Sequence, residues 1–201
     1  MTETTTEGAP QSTAATVAGG SGRGEWELDP AHSHVGFTGT QMMISTVRGR
    51  FNEFSASLEL DENNPESATI EARIQAPSLD SGFEYRDTHL KSPDFLDAEN
   101  HPEIVFRSTR IERADGADDR FRLHGDLTIR GDTRPVVLDT EFHGIIPGEP
   151  GTRRAAFGAR TTISRGDWGL NWNMPLGSDG VLVGDQVMIE IEATFIQRLD
   201  S

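Results

Sequence analysis

The residues able to do chemistry fall in a few short runs. His32-Ser33-His34 sets two imidazoles on one face of an extended segment, an arrangement a metal site can use. A zinc site needs about four ligands, and no third donor stands nearby by spacing. A structural hydrogen bond for His32 and solvent for His34 fit better. Arg86, Asp87 and His89 admit three roles, in this order: a loop tied through charge-assisted hydrogen bonds, contact with a ligand's polar head at a cavity mouth, and acid–base catalysis. His32 joins them as a candidate at the mouth. Asp115, Asp118 and Asp119 surround an Asp-Gly turn and lack the spacing of a calcium loop. The sequence has no GxSxG elbow, HExxH pair or phosphate-cradling glycine loop. It also has no cysteine, which removes thiolate catalysis, disulfides and thiolate-held metals. No catalytic residue, metal or cofactor is expected.

The elements that must position these residues are announced by a period of two. Ala68, Ile70, Ala72, Ile74 and Ala76 alternate with Thr69, Glu71, Arg73 and Gln75. Phe121, Leu123, Gly125, Leu127 and Ile129 repeat the pattern, as do Val187, Ile189, Ile191, Ala193 and Phe195, and Phe54, Ala56, Leu58 and Leu60. Weaker rows at 32–39, 103–111, 135–143 and 154–164 bring the number of expected strands to eight. Asp61 to Pro65, the Asp115-Gly116 region, Gly131-Asp132 and Pro147 to Gly151 supply turns between strands. One-sided strands joined by short turns predict an all-β protein, an eight-stranded antiparallel sheet closed into a barrel, because an open sheet would leave two long edges unpaired. Ser81 to His101 breaks the period. Ser92-Pro93 there reads as the start of one or two short helical segments covering a barrel end.

The inward rows define a candidate ligand-binding set. Phe37, Phe54, Ile70, Ile74, Leu123, Leu127, Phe142, Ile189, Ile191 and Phe195 supply apolar wall, and Phe157, Trp168 and Trp172 add aromatic surface. Small residues in the same rows, Ala72, Ala76, Gly125 and Ala193, are expected to leave a lumen unfilled. Such a shaft suits a long apolar lipid, for which each buried methylene contributes roughly 0.8 kcal/mol.

The net charge of −15 and a pI near 4.7 oppose phosphate backbones and anionic bilayers, so neither nucleic-acid binding nor electrostatic membrane docking is expected. No stretch approaches the ~20 apolar residues of a membrane span. Residues 1–23, rich in Thr, Ala, Gly and Ser, read as a disordered tail, and 24–198 as one domain. The first residues show neither the basic opening nor the apolar run of a secretion signal, which points to the cytoplasm.

Several motifs in order carry a family likeness. Trp26-Glu27-Leu28-Asp29-Pro30-Ala31-His32-Ser33 comes first, then Val47-Arg48-Gly49-Arg50-Phe51. Arg86-Asp87-Thr88-His89-Leu90 follows with Ser92, Asp94 and Phe95, then His101-Pro102-Glu103-Ile104-Val105-Phe106. Gly125 to Gly131, Arg165-Gly166-Asp167-Trp168-Gly169-Leu170 and Val183-Gly184-Asp185 complete the set. In these the chain resembles the YceI-like family. The resemblance implies a lipocalin-like barrel that binds a polyisoprenoid, an isoprenoid quinone or a fatty acid or amide in its lumen, without catalysis, and it suggests a homodimer. Many members carry a histidine where Gln41 stands here, so no role of that histidine is carried over. Three other readings remain: a haem barrel held by one histidine, a lipid-processing enzyme using Asp87 and His89, and a dry, packed barrel serving as a stress-linked interaction protein.

Overall fold

The computed structural model describes residues 23–199 except 115, 178 and 179. The expected disordered stretch therefore lies outside the described residues, save Arg23, which opens the first strand.

Two bent staves begin the chain. β1 (Arg23–Leu28) and β2 (His34–Gln41) are one stave broken at Asp29-Pro30, where proline has no N–H to give to a ladder. β3 (Ser45–Phe51) and β4 (Phe54–Asp61) are the second, interrupted at Asn52 and Glu53. β4 pairs with β1 and β3 with β2. The third stave is β5 (Thr69–Gln75), extended past a 3₁₀ turn at Ala76–Ser78 by the two-residue β6 (Leu79–Asp80), which pairs with β3 at Arg50 and Phe51.

After α1 (Glu84–Lys91) come β7 (Glu103–Arg113), β8 (Arg120–Ile129), β9 (Asp132–Pro147) and β10 (Thr152–Ser164). A small hairpin, β11 (Pro175–Leu176) and β12 (Gly180–Val181), precedes the last strand, β13 (Val183–Arg198). The ring runs β1-β4-β5-β7-β8-β9-β10-β13 and returns to β1 through Glu27 opposite Ile196 and Leu28 opposite Phe195. This is the expected eight-stranded antiparallel barrel with one short α-helix. All ladder neighbours are antiparallel, so inward and outward residues alternate around the whole wall.

Two features depart from expectation. β1 and β3 fall outside the eight expected rows, because Gly49 occupies an inward position of β3 and contributes no apolar signal; the Phe37 ring fills its place. The helix precedes Ser92-Pro93 instead of starting there. A residue before proline is disfavoured in the helical region, so Ser92 ends α1, its Oγ donating to the His89 carbonyl at 2.7 Å.

The stave break at Asp29 is held by charge. Its Oδ1 accepts the Ala31 N–H at 3.1 Å, while Oδ2 meets His32 Nδ1 at 2.8 Å and Arg154 at 2.5 Å. Burial raises the carboxyl's pKa, but the hydrogen bonds from His32, Arg154 and Ala31 outweigh it and hold the group below the ordinary carboxylate value.

Apolar packing is concentrated in two clusters. One gathers Trp26, Leu58, Leu60, Ala155 and Phe195 around the β1 end, with Trp26 only 1% exposed. The other joins Leu123, Leu127, Val136, Leu138 and Ile163 to Trp168, whose indole N–H donates to the Leu127 carbonyl at 3.0 Å.

Candidate functional site

Between these clusters the barrel holds a cavity of about 400 Å³, within the range of ligand sites, about 300–1,000 Å³. It follows β13 from Val183 to Phe195, on the order of 40 Å of strand at ~3.4 Å per residue. Three of the expected inward rows form part of its wall. Ile70, Ala72 and Ile74 line it from β5, Leu123 and Leu127 from β8, and Ile189, Ile191 and Phe195 from β13. Phe37, Phe54, Phe157 and Trp168 complete the expected set that reaches it.

Phe142 does not reach the cavity. It sits on the inward face opposite Phe157 on β10, with ring centroids 5.2 Å apart, and packs into the Trp26 cluster instead of lining the open space. Gly125 is a second correction. It leaves no gap in the lumen, because the Phe106 ring lies over it and a Cβ there would stand 2.3 Å from Cζ. The open small residue is Gly39, which lines the cavity in the row of Val35 and Phe37 and has nothing within 4 Å of a Cβ position.

His32 makes the structural hydrogen bond that suits it better and does not stand at the mouth. Its ring is tied to Asp29 and sits beside Arg154 and His143 in a separate shallow depression, outside the cavity. Asp87 is consumed within the loop: its Oδ1 accepts from the Ser81 N–H at 2.9 Å and from the Ser81 hydroxyl. Arg86 donates to the same serine, Nε to Oγ and a terminal nitrogen to the carbonyl, both at 2.7 Å. His89 meets Asp94 at 3.0 Å through Nε2. Asp87 and His89 thus have separate partners and form no acid–base pair. Arg86 and His89 nevertheless line the cavity, where α1 lies along it.

One lining residue was not among the expected site residues. Arg165 is 7% exposed and lines the cavity beside Phe95 and Trp172. Its guanidinium donates to the carbonyls of Gly184 at 2.9 Å, Trp172 at 3.0 Å and Val183 at 3.3 Å, and to that of Leu170. Burial pulls its pKa down and Asp185 pulls it back up. No local pattern marks an arginine that will be buried; only its place in the Arg165 to Leu170 motif did. Among the described residues no three His, Cys, Asp or Glu side chains gather as a metal site.

Residues 26–195 match the model of the YceI-like domain. The chain belongs to the YceI-like family. Among relatives, a UPF0312 protein of Staphylococcus epidermidis is 33% identical over 172 residues, covering 85% of this chain and 96% of its own length. Of solved structures, Burkholderia cenocepacia BcnA superposes with a TM-score of 0.70 at 24% identity, over 83% of this chain and 98% of that one. A polyisoprenoid binding domain from Saccharophagus degradans, implicated in plant cell wall breakdown, superposes at 0.60 and 11% identity, over 87% and 98%. At those identities the two structures establish a shared fold with this YceI-like chain. No helix among the described residues is long and apolar enough to cross a membrane.

Proposed function

We propose that this protein holds one long apolar lipid, an isoprenoid or a chain of similar shape, in the barrel lumen and carries or sequesters it without chemistry. The observation behind this reading is the cavity itself: about 400 Å³, walled almost entirely by aliphatic and aromatic side chains and running with the strands. A chain with few polar handles needs length, apolar walls and exclusion of water, which such a shaft offers. Fifteen to twenty buried carbons at roughly 0.8 kcal/mol each offset an association cost on the order of 4–15 kcal/mol. The polyisoprenoid-binding neighbour of the same fold supports the same ligand class. Asp87 and His89, the residues a lipid-processing reaction would use, are engaged with Ser81 and Asp94, which favours carriage over catalysis.

Native mass spectrometry of freshly purified protein, followed by solvent extraction, tests the reading. A bound mass that extracts as a long-chain lipid is expected. Protein that arrives empty and takes up no isoprenoid after delipidation would refute it. The same spectrum reports whether the barrel is the homodimer that the family likeness suggests.

A further inference from the structure

We propose that the stretch of cavity framed by Arg86, His89 and Arg165 is a subsite for an anionic head group, a carboxylate or a phosphate monoester, on the chain that fills the lumen. This rests on the lumen being a lipid site.

The charge inventory of the wall comes first. Among the described residues, the cavity touches three formally charged side chains: Arg86, Arg165 and Glu192. Glu192 stands between the inward Ile191 and Ala193, so its carboxylate faces out, across from His34. It lies on β13 some way from Gln186, the strand partner of Ser164 next to Arg165, on the order of 20 Å at ~3.4 Å per residue. The acid therefore does not answer the two arginines.

Nor does an acid pair with them directly, although Asp185 lies near enough to Arg165 to raise its pKa. Among the described residues no carboxylate comes within 4.0 Å of the Arg165 or Arg86 guanidinium, whereas Arg73, Arg153 and Arg154 all have such partners. Arg165 gives its hydrogen bonds to carbonyls, which carry partial charge only, and a guanidinium stays protonated even when buried. Arg86 uses Nε and one terminal nitrogen on Ser81; its other terminal nitrogen has no partner among the described residues. Asp87, next in sequence, is spent on Ser81.

His89 and Arg165 converge, and Arg86 lines the same cavity from α1. His89 and Arg165 both lie against Phe95, the imidazole centroid 5.1 Å from the ring centroid and the Arg165 Cζ 5.9 Å from it. His89 also stacks edge-on against Trp172 at 4.4 Å, and Arg165 holds the Trp172 carbonyl. Arg86 is one turn before His89 on α1, on the same face. Asp94 accompanies His89 and offsets at most that ring, so neither guanidinium has a carboxylate of its own within 4.0 Å among the described residues. In a low-dielectric wall a cation without a counter-charge favours an anion strongly and a neutral head weakly. A carboxylate or phosphate also matches the planar fork of arginine donors.

Delipidated full-length protein titrated with hexadecanoate, hexadecyl phosphate and hexadecan-1-ol tests the subsite by calorimetry. The better anion is expected to bind about tenfold tighter than the alcohol, the increment of one charge-assisted hydrogen bond. Whether phosphate or carboxylate leads tells which head is native. Arg86→Gln should shrink the anion-to-alcohol ratio severalfold, and Arg86→Lys should restore part of it. Arg165→Gln should act the same way, but this side chain also clamps four carbonyls, so Arg86 carries the test if that variant does not fold. Equal binding of acid, phosphate and alcohol, or a ratio indifferent to Arg86→Gln, overturns the subsite and leaves the lumen reading standing. If none of the three probes binds, both fall together.

Discussion

The ring of Phe106 on β7 lies across Gly125 on β8, so that a Cβ on the glycine would stand 2.3 Å from Cζ and 2.6 Å from the Arg107 carbonyl oxygen. Backbone on one side and a buried ring on the other leave no room to yield. Gly125→Ala should therefore destabilise the barrel by about 1–3 kcal/mol through overpacking, read as a lower urea midpoint at unchanged slope. A neutral outcome would mean the ring swings aside freely.

Gly39 offers the opposite case. It lines the cavity, its Cβ position is open, and its backbone is not left-handed. Gly39→Leu and Ala72→Phe should fill lumen while leaving the melting temperature close to that of the parent. Lipid occupancy in the native mass spectrum should drop in both, most in the pair combined. Full occupancy in the double variant would show that the ligand lies elsewhere.

Tryptophan fluorescence separates the two ends of the barrel. Trp172 and Trp168 line the cavity, whereas Trp26 is sealed in the other cluster with Arg153 5.3 Å from its ring. Loading delipidated protein should shift the emission of a Trp26→Phe variant as it does the parent. In Trp172→Phe the change should shrink markedly. The reverse pattern would place the ligand at the β1 end.

Acid should loosen the stave break. The folded pKa of Asp29 is depressed, so its contribution is fully present above the unfolded carboxylate value near 3.8 and disappears as pH falls through the lower folded value. Asp29→Asn removes that dependence along with the ties to Arg154 and His32. It should cost about 1–2 kcal/mol at neutral pH, through loss of the charge in the hydrogen bonds to Arg154 and His32, and should flatten the acid limb of the stability curve. Thermal melts of both proteins from pH 6 down to pH 3 give the comparison; parallel curves would exclude the role.

What could be read from the chain beforehand follows from how each feature is encoded. Ile70, Ala72 and Ile74, or Ile189 and Ile191, advertise an inward face because nothing interrupts the alternation, and all of them reach the cavity. β3 hides because its inward centre is Gly49, whose space is taken by a ring from β2, a fact of pairing that no local pattern holds. His32 admits both a structural hydrogen bond and a place at the mouth by type and position, and the stave break at Pro30 leaves the imidazole on Asp29 outside the wall. Gly125 does not open the lumen as its size suggests: a small residue means either a void or a neighbour's ring, and only the partner strand decides. Arg165 carries its meaning through carbonyls drawn from the segments at 170–172 and 183–184, contacts with no signature in the sequence around it.

β3 has strand neighbours on one side along its whole length, but on the other β6 meets it only at Arg50 and Phe51. Among the described residues, Ser45 to Gly49 thus present bare amides and carbonyls toward the side of the cylinder, with Val47 behind them facing the cavity. A seam of this kind is normally an invitation for another chain to zip on. Here Arg48 projects from it into solvent, a charge of the kind that blunts an exposed edge, while Arg50 at the paired end is tied to Asp80 at 3.2 Å. Along this edge the wall can part without unzipping any ladder of the closed ring.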